Sequence, residues 1–341
     1  MRRISVVDDL LVPTIAVSLA LTVAGVLILA MGINPLSAYV AMFLGAFGSA
    51  NSISETLLKA TPLMLAGLGL AIAYNCKVWN IGAEGQLYIG AWLATWAGIV
   101  VSGIPQPIHI LLLTLVGFMG GALWALIPAL LKTRFQLNEI ITTIMMNYIA
   151  TIWISYLVRI PMIDPESYGY PQSQVLSISA WLPRILPETR LNIGFLMALV
   201  FAVILQILLF KTTLGFKITA VGANQEAARY GGMKIATTIL MTMAISGGLA
   251  GIAGMVEIAG VHHRLRAGFS PGYGFTAIVV SLLGRNRPLG VVLSAILFGA
   301  LIVGADSMQQ SVGVPFFLSY IIQGLVVLFM VSREIYIRKW R

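Results

Sequence analysis

No charged side chain occurs from Leu10 to Ser54, from Gly85 to Leu131, or from Ile235 to Val256. Each run exceeds the ~20 residues that cross the hydrocarbon core of a bilayer as a helix. Inside lipid, every backbone polar group must pair within the protein, which leaves helices as the economical solution for such runs. Only 10% of the 341 residues are charged and 59% are hydrophobic, whereas soluble domains carry about a quarter charged residues. The expected fold is all-α: a polytopic transmembrane helix bundle of about 8–10 spans, forming a single transmembrane domain over residues 1–341.

The spans are predicted near Leu11–Met31, Leu57–Tyr74, a third ending near Gly103, a fourth ending at Leu131, then Asn138–Val158, Leu191–Phe210, Ile235–Ile258, Pro288–Ala305 and Pro315–Met330. Asp8 and Asp9 interrupt the basic start that a cleaved leader would have, so the first apolar run is expected to be retained. Segments 36–50 and 271–284 are apolar but short; the first suits an interfacial helix better than a span. A span, polar break, span order at 57–104 recurs at 271–306, a loose internal repeat of the kind transporters contain. The longest polar segment, 159–191, holds Pro161, Pro165, Pro171, Pro183 and Pro187 and is expected to be an outer loop with a small lid or interfacial helix.

The formal charge of +9 comes from 21 basic and 12 acidic residues. With both termini in the cytoplasm, 15 basic residues fall inside: Arg2, Arg3, Lys77, Lys132, Arg134, Lys211, Lys217, Arg229, Lys234, Arg285, Arg287, Arg333, Arg338, Lys339 and Arg341. The opposite orientation reverses that excess, so the positive-inside rule selects the first. No basic cluster with interleaved aromatics points to nucleic acid. The single cysteine, Cys76, excludes an internal disulfide and a cysteine metal cluster.

Three polar islands interrupt the apolar chain. Gly222-Ala-Asn-Gln-Glu-Ala-Ala-Arg-Tyr-Gly-Gly-Met233 lies in a base-rich loop over 211–234. Asn224 can cap a helix start, Glu226 suits the first turn, and Gly231 and Gly232 can supply a left-handed stop. The expectation is about two turns of helix, closed at both ends and projecting into the cytoplasm, an object that lipid does not require and a soluble partner does. The second island is Asn80-Ile-Gly-Ala-Glu-Gly-Gln86. Glu84 at the start of a span satisfies that helix's dipole and free N–H groups, and Gly82 and Gly85 allow close backbone approach. A break within the membrane must line a cavity or pack in protein, so Asn80, Gly82, Glu84 and Gly85 are candidates for the translocation path. Asn147, mid-span, joins them as either an interhelical hydrogen bond or a substrate or gate contact. Glu257 and Asp306 near outer span ends fit snorkelling. His262 and His263 are adjacent and lack a third ligand at metal spacing. Gly247, Gly251 and Gly254 form a small-residue face for helix packing. Neither a phosphate-binding Gly-x4-Gly-Lys-Ser/Thr run nor a nucleophile triad occurs, so no metal, cofactor or catalytic residue is assigned to this chain.

These two islands and Val280-Ser-Leu-Leu-Gly-Arg-Asn-Arg-Pro-Leu-Gly290 together resemble the inner-membrane permeases of ABC importers for branched-chain amino acids, ribose and other simple sugars, and nucleosides. The Asn-Ile-Gly-Ala-Glu-Gly form looks most like the nucleoside or simple-sugar subgroup. The resemblance implies a multi-pass protein of the bacterial inner membrane and a set of partners. These are an ATPase subunit that carries ATP and Mg, a second permease subunit, homologous or identical, an extracytoplasmic solute-binding protein and a small-molecule solute, with no nucleic acid. It also implies that Gly222, Ala223, Asn224, Glu226, Ala227, Ala228, Arg229 and Gly231 form the ATPase-coupling segment. An ion-driven secondary transporter is the alternative, but it needs carboxylates within the spans, and few are present. A membrane enzyme lacks its catalytic constellation.

Overall fold

The computed structural model describes residues 6–318, 320–326 and 328–329. Twelve α-helices follow in chain order: α1 Val6–Ala30, α2 Pro35–Phe47, α3 Ala50–Asn75, α4 Ala83–Val100, α5 Gln106–Phe135, α6 Glu139–Leu157, α7 Gly194–Lys211, α8 Thr213–Ala223, α9 Gln225–Tyr230, α10 Ile235–Glu257, α11 Tyr273–Leu283 and α12 Pro288–Val312. Helical backbone is also described at 320–326. Among the described residues, the only bridges of strand type are Gln172 with Arg266 and Arg184 with Asn192. The basic tail from Arg333, and Arg2 and Arg3, lie outside the described residues.

Among the described residues, six helices are long and apolar enough to span a membrane: α3, α5, α6, α7, α10 with its extension to His262, and α12. The expected 8–10 spans thus include segments that do not qualify on length and apolarity alone. α4 has 18 residues but opens on Glu84 and Gln86. α2 and α11, with 13 and 11 residues, match the short segments expected at 36–50 and 271–284. The helix, break, helix order recurs as expected, though with 26 and 18 residues in one copy and 11 and 25 in the other.

The described residues fall into two compact units, one within Met1–Ala60 and Ile296–Arg341, the other Thr61–Ala295; α3 and α12 contribute to both. In the first unit Tyr39 donates its hydroxyl to the Leu21 carbonyl. Gly45 lies so close to Ser307 that a Cβ there would sit 2.1 Å from the serine Cβ.

The second unit is built on α4, α5 and α10. The small-residue face of α10 packs as its sequence requires. A Cβ on Gly251 would lie 2.1 Å from the Gly117 carbonyl oxygen of α5, and one on Gly254 would lie 2.1 Å from the Leu87 carbonyl oxygen of α4. Only glycine permits such backbone approach, and the dispersion contacts it allows replace the hydrophobic drive that lipid cannot supply. Hence 78% of the most apolar stretch of α10 is buried, against 28% in α6 and α7, whose remaining apolar side chains face outward.

α10 continues into a π-helical turn, Ile258–His262. The 159–191 segment packs against this turn and the residues after it. It contains two 3₁₀ turns, Pro165–Ser167 and Ile178–Ala180. Ser173 N and Leu176 N donate to the Leu265 and His263 carbonyls at 2.9 Å, and Leu182 N donates to Ala259 O at 3.0 Å. Trp181 stacks on His263 with centroids 3.9 Å apart. Ser177 fastens the same segment to the C-terminal end of α4 through Gly98 O at 2.7 Å.

Candidate functional site

The polar island at 222–233 folds as a stopped helix. Asn224 is extended, at φ −157° and ψ 114°, and its side-chain oxygen accepts from Glu226 N and Ala227 N at 2.9 and 3.1 Å. That satisfies two of the four donors that a helix start leaves free. At the other end Gly232, at φ +77°, takes the left-handed conformation. Gly232 N bonds to Arg229 O and Met233 N bonds to Ala228 O at 2.9 and 3.0 Å, the double closure of a Schellman stop. Glu226 in the first turn and Arg229 in the last complement the helix dipole.

Of the two glycines, Gly232 is the left-handed one and Gly231 sits at φ −74°. Two details differ from expectation. The helix has six residues, Gln225–Tyr230, somewhat under two turns. Gly222 and Ala223 belong to a separate helix, α8, that fills half of the expected loop. The signal for α8 was present: Thr212 follows the last residue of α7 and caps Gly215 N at 3.2 Å. On α9 only Ala228 is buried, and Tyr230 is 95% exposed.

Gly222 is where α8 meets the rest of the unit. A Cβ there would sit 2.0 Å from the carbonyl oxygen of Asn75, the last residue of α3. Asn75 in turn donates its amide to Asn286 O at 2.9 Å. Asn286 lies in the tight turn between α11 and α12, where its Oδ1 pairs with Ser281 Oγ at 3.0 Å. The 222–233 and 280–290 islands therefore meet at the head of the Asn75–Gln86 break. The contacts of Asn75 with Asn286 and Gly222 carry no signal in the sequence, because they span 211 and 147 positions.

The break itself is a closed polar knot. Asn80 and Gln86 exchange side-chain hydrogen bonds at 3.0 Å in both directions. Asn80 also donates to Ser246 Oγ at 2.9 Å and accepts from Gly82 N at 2.9 Å. Ser246 lies eleven residues into α10, roughly 16 Å along its axis, so the break sits deep in the bundle. Asn147 clamps the same turn from α6. Its oxygen accepts from Gly85 N and its amide donates to Ile81 O, both at 2.8 Å. Of the two roles weighed for Asn147, the interhelical bond is the one found.

Glu84 lies in the first turn of α4, but its hydrogen bonds reach beyond its own helix. Its Oε2 accepts from Gly274 N of α11 at 2.6 Å, and Ser270, whose hydroxyl oxygen accepts from Gly272 N and Tyr273 N, bonds to the same carboxylate. The N-termini of α4 and α11 touch: a Cβ on Gly274 would lie 2.2 Å from Glu84 N. One carboxylate thus answers the partial positive charge of two helix starts. Asn80, Glu84 and Asn147 are 0, 4 and 3% exposed, and Gly82 and Gly85 are buried with them, so all five candidate path residues come together in one network. Sequence reading missed Ser246, Ser270 and Gly274, which have no local signature.

Apolar spans of this length, broken within the bundle where polar groups satisfy one another, define a multi-pass membrane protein of the transporter type. Residues 52–331 match the family described as branched-chain amino acid transport system / permease component, and the chain belongs to that family. It is 40% identical to the glucose ABC transporter permease protein TsgB13 of Haloferax volcanii over 336 residues, 96% of this chain and 88% of the relative. It is 39% identical to the guanosine ABC transporter permease protein NupP of Bacillus subtilis over 327 residues, 95% and 94% of the two chains. With the nucleoside ABC transporter permease protein NupB of Lactococcus lactis it shares 33% over 333 residues, 95% and 91%. No solved structure matches the chain.

Proposed function

We propose that this permease carries a neutral polar solute, a nucleoside or a simple sugar, into the cell, driven by ATP that a separate ATPase subunit binds with Mg and hydrolyses. The observation that carries the reading is α9: exposed on all but one residue, capped at both ends, and seated through Gly222 on the broken segment. A short helix whose ends cannot fray transmits a push as a rigid body. A coupling element must make different contacts in two states, and α9 has a free face to offer a cytoplasmic ATPase. Gly222, Ala223, Asn224, Glu226, Ala227, Ala228, Arg229 and Gly231 are assigned to this docking, with Gly222 and Ala228 anchoring it from behind.

The knot of Asn80, Gly82, Glu84, Gly85 and Asn147 is assigned to the closed gate of the path. Its one carboxylate already occupies the positive junction of two helix starts, which disfavours an anionic solute there. The names of the relatives, for glucose, guanosine and nucleosides, agree with a neutral cargo. A second permease subunit, homologous or identical, would complete the pore, and an extracytoplasmic binding protein would deliver the solute.

The test is uptake of labelled nucleosides and hexoses into proteoliposomes holding this chain with its ATPase, second permease and binding protein. Uptake should require ATP and survive ionophores. Uptake that collapses with ionophores, or proceeds without ATP, would instead mark an ion-driven carrier. Arg229→Glu should leave the chain inserted and lower the amount of ATPase that co-purifies.

A further inference from the structure

We propose that Asn75 is the positioning residue that relays movement of the α8–α9 pair to the α11–α12 turn. This rests on the reading that α9 docks the ATPase. Three contacts meet at this one residue. Its carbonyl oxygen faces the Gly222 backbone, so close that no side chain fits between. Its amide donates to Ala71 O at 2.8 Å, which fixes it to the end of α3. The same amide donates to Asn286 O at 2.9 Å, across 211 positions of sequence.

The receiving end is built to be held. Arg285 and Asn286 both have positive φ, at 54° and 55°, a conformation that costs non-glycine residues energy and persists only under external restraint. Asn286 N bonds to Ser281 O at 2.9 Å and its side chain to Ser281 Oγ at 3.0 Å. Gly284 and Gly290 bring the two helix ends into backbone contact, a Cβ on Gly290 falling 2.3 Å from Gly284 O. Displacement of α8 pushes directly on the Asn75 carbonyl, because neither backbone can swing aside. The amide then carries that displacement to the turn. From there α11 runs back to Gly274, whose N–H is held by Glu84 of the knot. Asn75 thus joins the lever to the turn that leads to the gate, and its role is positional, since it holds two backbones rather than solute.

The experiment uses the complete complex in proteoliposomes with Asn75→Ala, which removes the amide, and Asn75→Asp, a near-isosteric change that replaces the amide donors with a carboxylate facing the Ala71 and Asn286 carbonyls. Ser281→Ala removes the side-chain bond that holds Asn286 without touching α3 and covers the case in which both Asn75 variants fail to assemble. Four quantities are read: co-purification of the ATPase, basal ATP hydrolysis, stimulation of hydrolysis by solute-loaded binding protein, and uptake. Co-purification and basal hydrolysis should stay near those of the parent. Stimulation and uptake should fall about tenfold, within the range by which sites couple. A purely structural role would lower all quantities together. Variants that assemble with parental stimulation and uptake overturn the relay, as does normal coupling in Ser281→Ala when the Asn75 variants do not assemble. Failure of the parent chain to co-purify with the ATPase would instead remove the docking reading on which the relay stands.

Discussion

Replacing Asn147 with leucine separates holding the break from contacting the solute. Leucine has the branching and heavy-atom count of asparagine with bulkier methyl groups, so no cavity opens, but it has no polar atom. Gly85 N and Ile81 O, each bonded to Asn147 at 2.8 Å, are then left in a site where the side chain they lose is only 3% exposed. An orphaned buried backbone group costs about 1–3 kcal/mol, so two give about 2–6 kcal/mol. Interhelical bonds in membranes average only about 0.6 kcal/mol, because the separated helices find other partners. The higher range is expected here. Gly85 N is one of the first donors of α4 and has no intrahelical acceptor, and Ile81 lies outside any helix. Asn147→Leu should therefore lower the denaturation midpoint in detergent well below that of Ile149→Leu, a control at an exposed position of the same helix. Uptake should fall in proportion to the folded fraction. An Asn147→Leu protein with parental stability refutes the clamp, and if it also loses uptake the side chain serves the solute instead.

Three further outcomes follow from the same structure. Gly251→Ala should destabilise by about 1–3 kcal/mol, the usual penalty of overpacking, because its Cβ falls more than an ångström short of ordinary contact with Gly117 O; thermal denaturation in detergent measures it. Cys76 is fully buried, and burial pushes its thiol above its ordinary range, which lowers the thiolate fraction. Maleimide at pH 7 should leave it unlabelled until the chain is denatured, and rapid native labelling would contradict the packing of Asn75–Val78. His263 is held below its ordinary value of 6.5 by burial first and by the nearby Arg184 charge. The unfolded segment then binds more protons than the folded one, so stability is full above that value and is lost as pH falls. Proteolysis of the 159–191 segment should accelerate on acidification, and His263→Gln should flatten that dependence.

The sequence revealed what depends on neighbours in the chain. Charge-free runs placed the spans, and Asn224 with the Gly231–Gly232 pair placed a stopped helix, because capping and helix termination are local chemistry. Which glycine of the pair turns left-handed was not legible: a Schellman stop needs one left-handed residue, and two adjacent glycines do not say which. Asn80, Glu84 and Asn147 were found as polar groups in an apolar setting, but their partners were not. Glu84 bonds to Gly274 across 190 positions and Asn80 to Ser246 across 166, distances at which spacing carries no signal. Gly222 was read as part of the lever, whereas its role depends on the Asn75 carbonyl that no pattern in 222–233 could reveal.

The cost of a break within lipid explains why these separate islands converge. A chain that interrupts a span leaves N–H and C=O groups that water cannot reach, each costing several kcal/mol unless answered within the protein. Here Asn80 answers Gly82 within the break, while the other answers come from elements separated along the chain: Gly85 by Asn147, and Gly274 by Glu84. A knot satisfied from α6, α10 and α11 can open only if those helices move relative to α4. Local fraying would expose orphaned groups one by one, whereas a concerted shift can exchange the whole set for water entering the path. Under the function proposed above, such a gate would favour two arrangements over a continuum, and the proposed lever seated at Asn75 is suited to choosing between them.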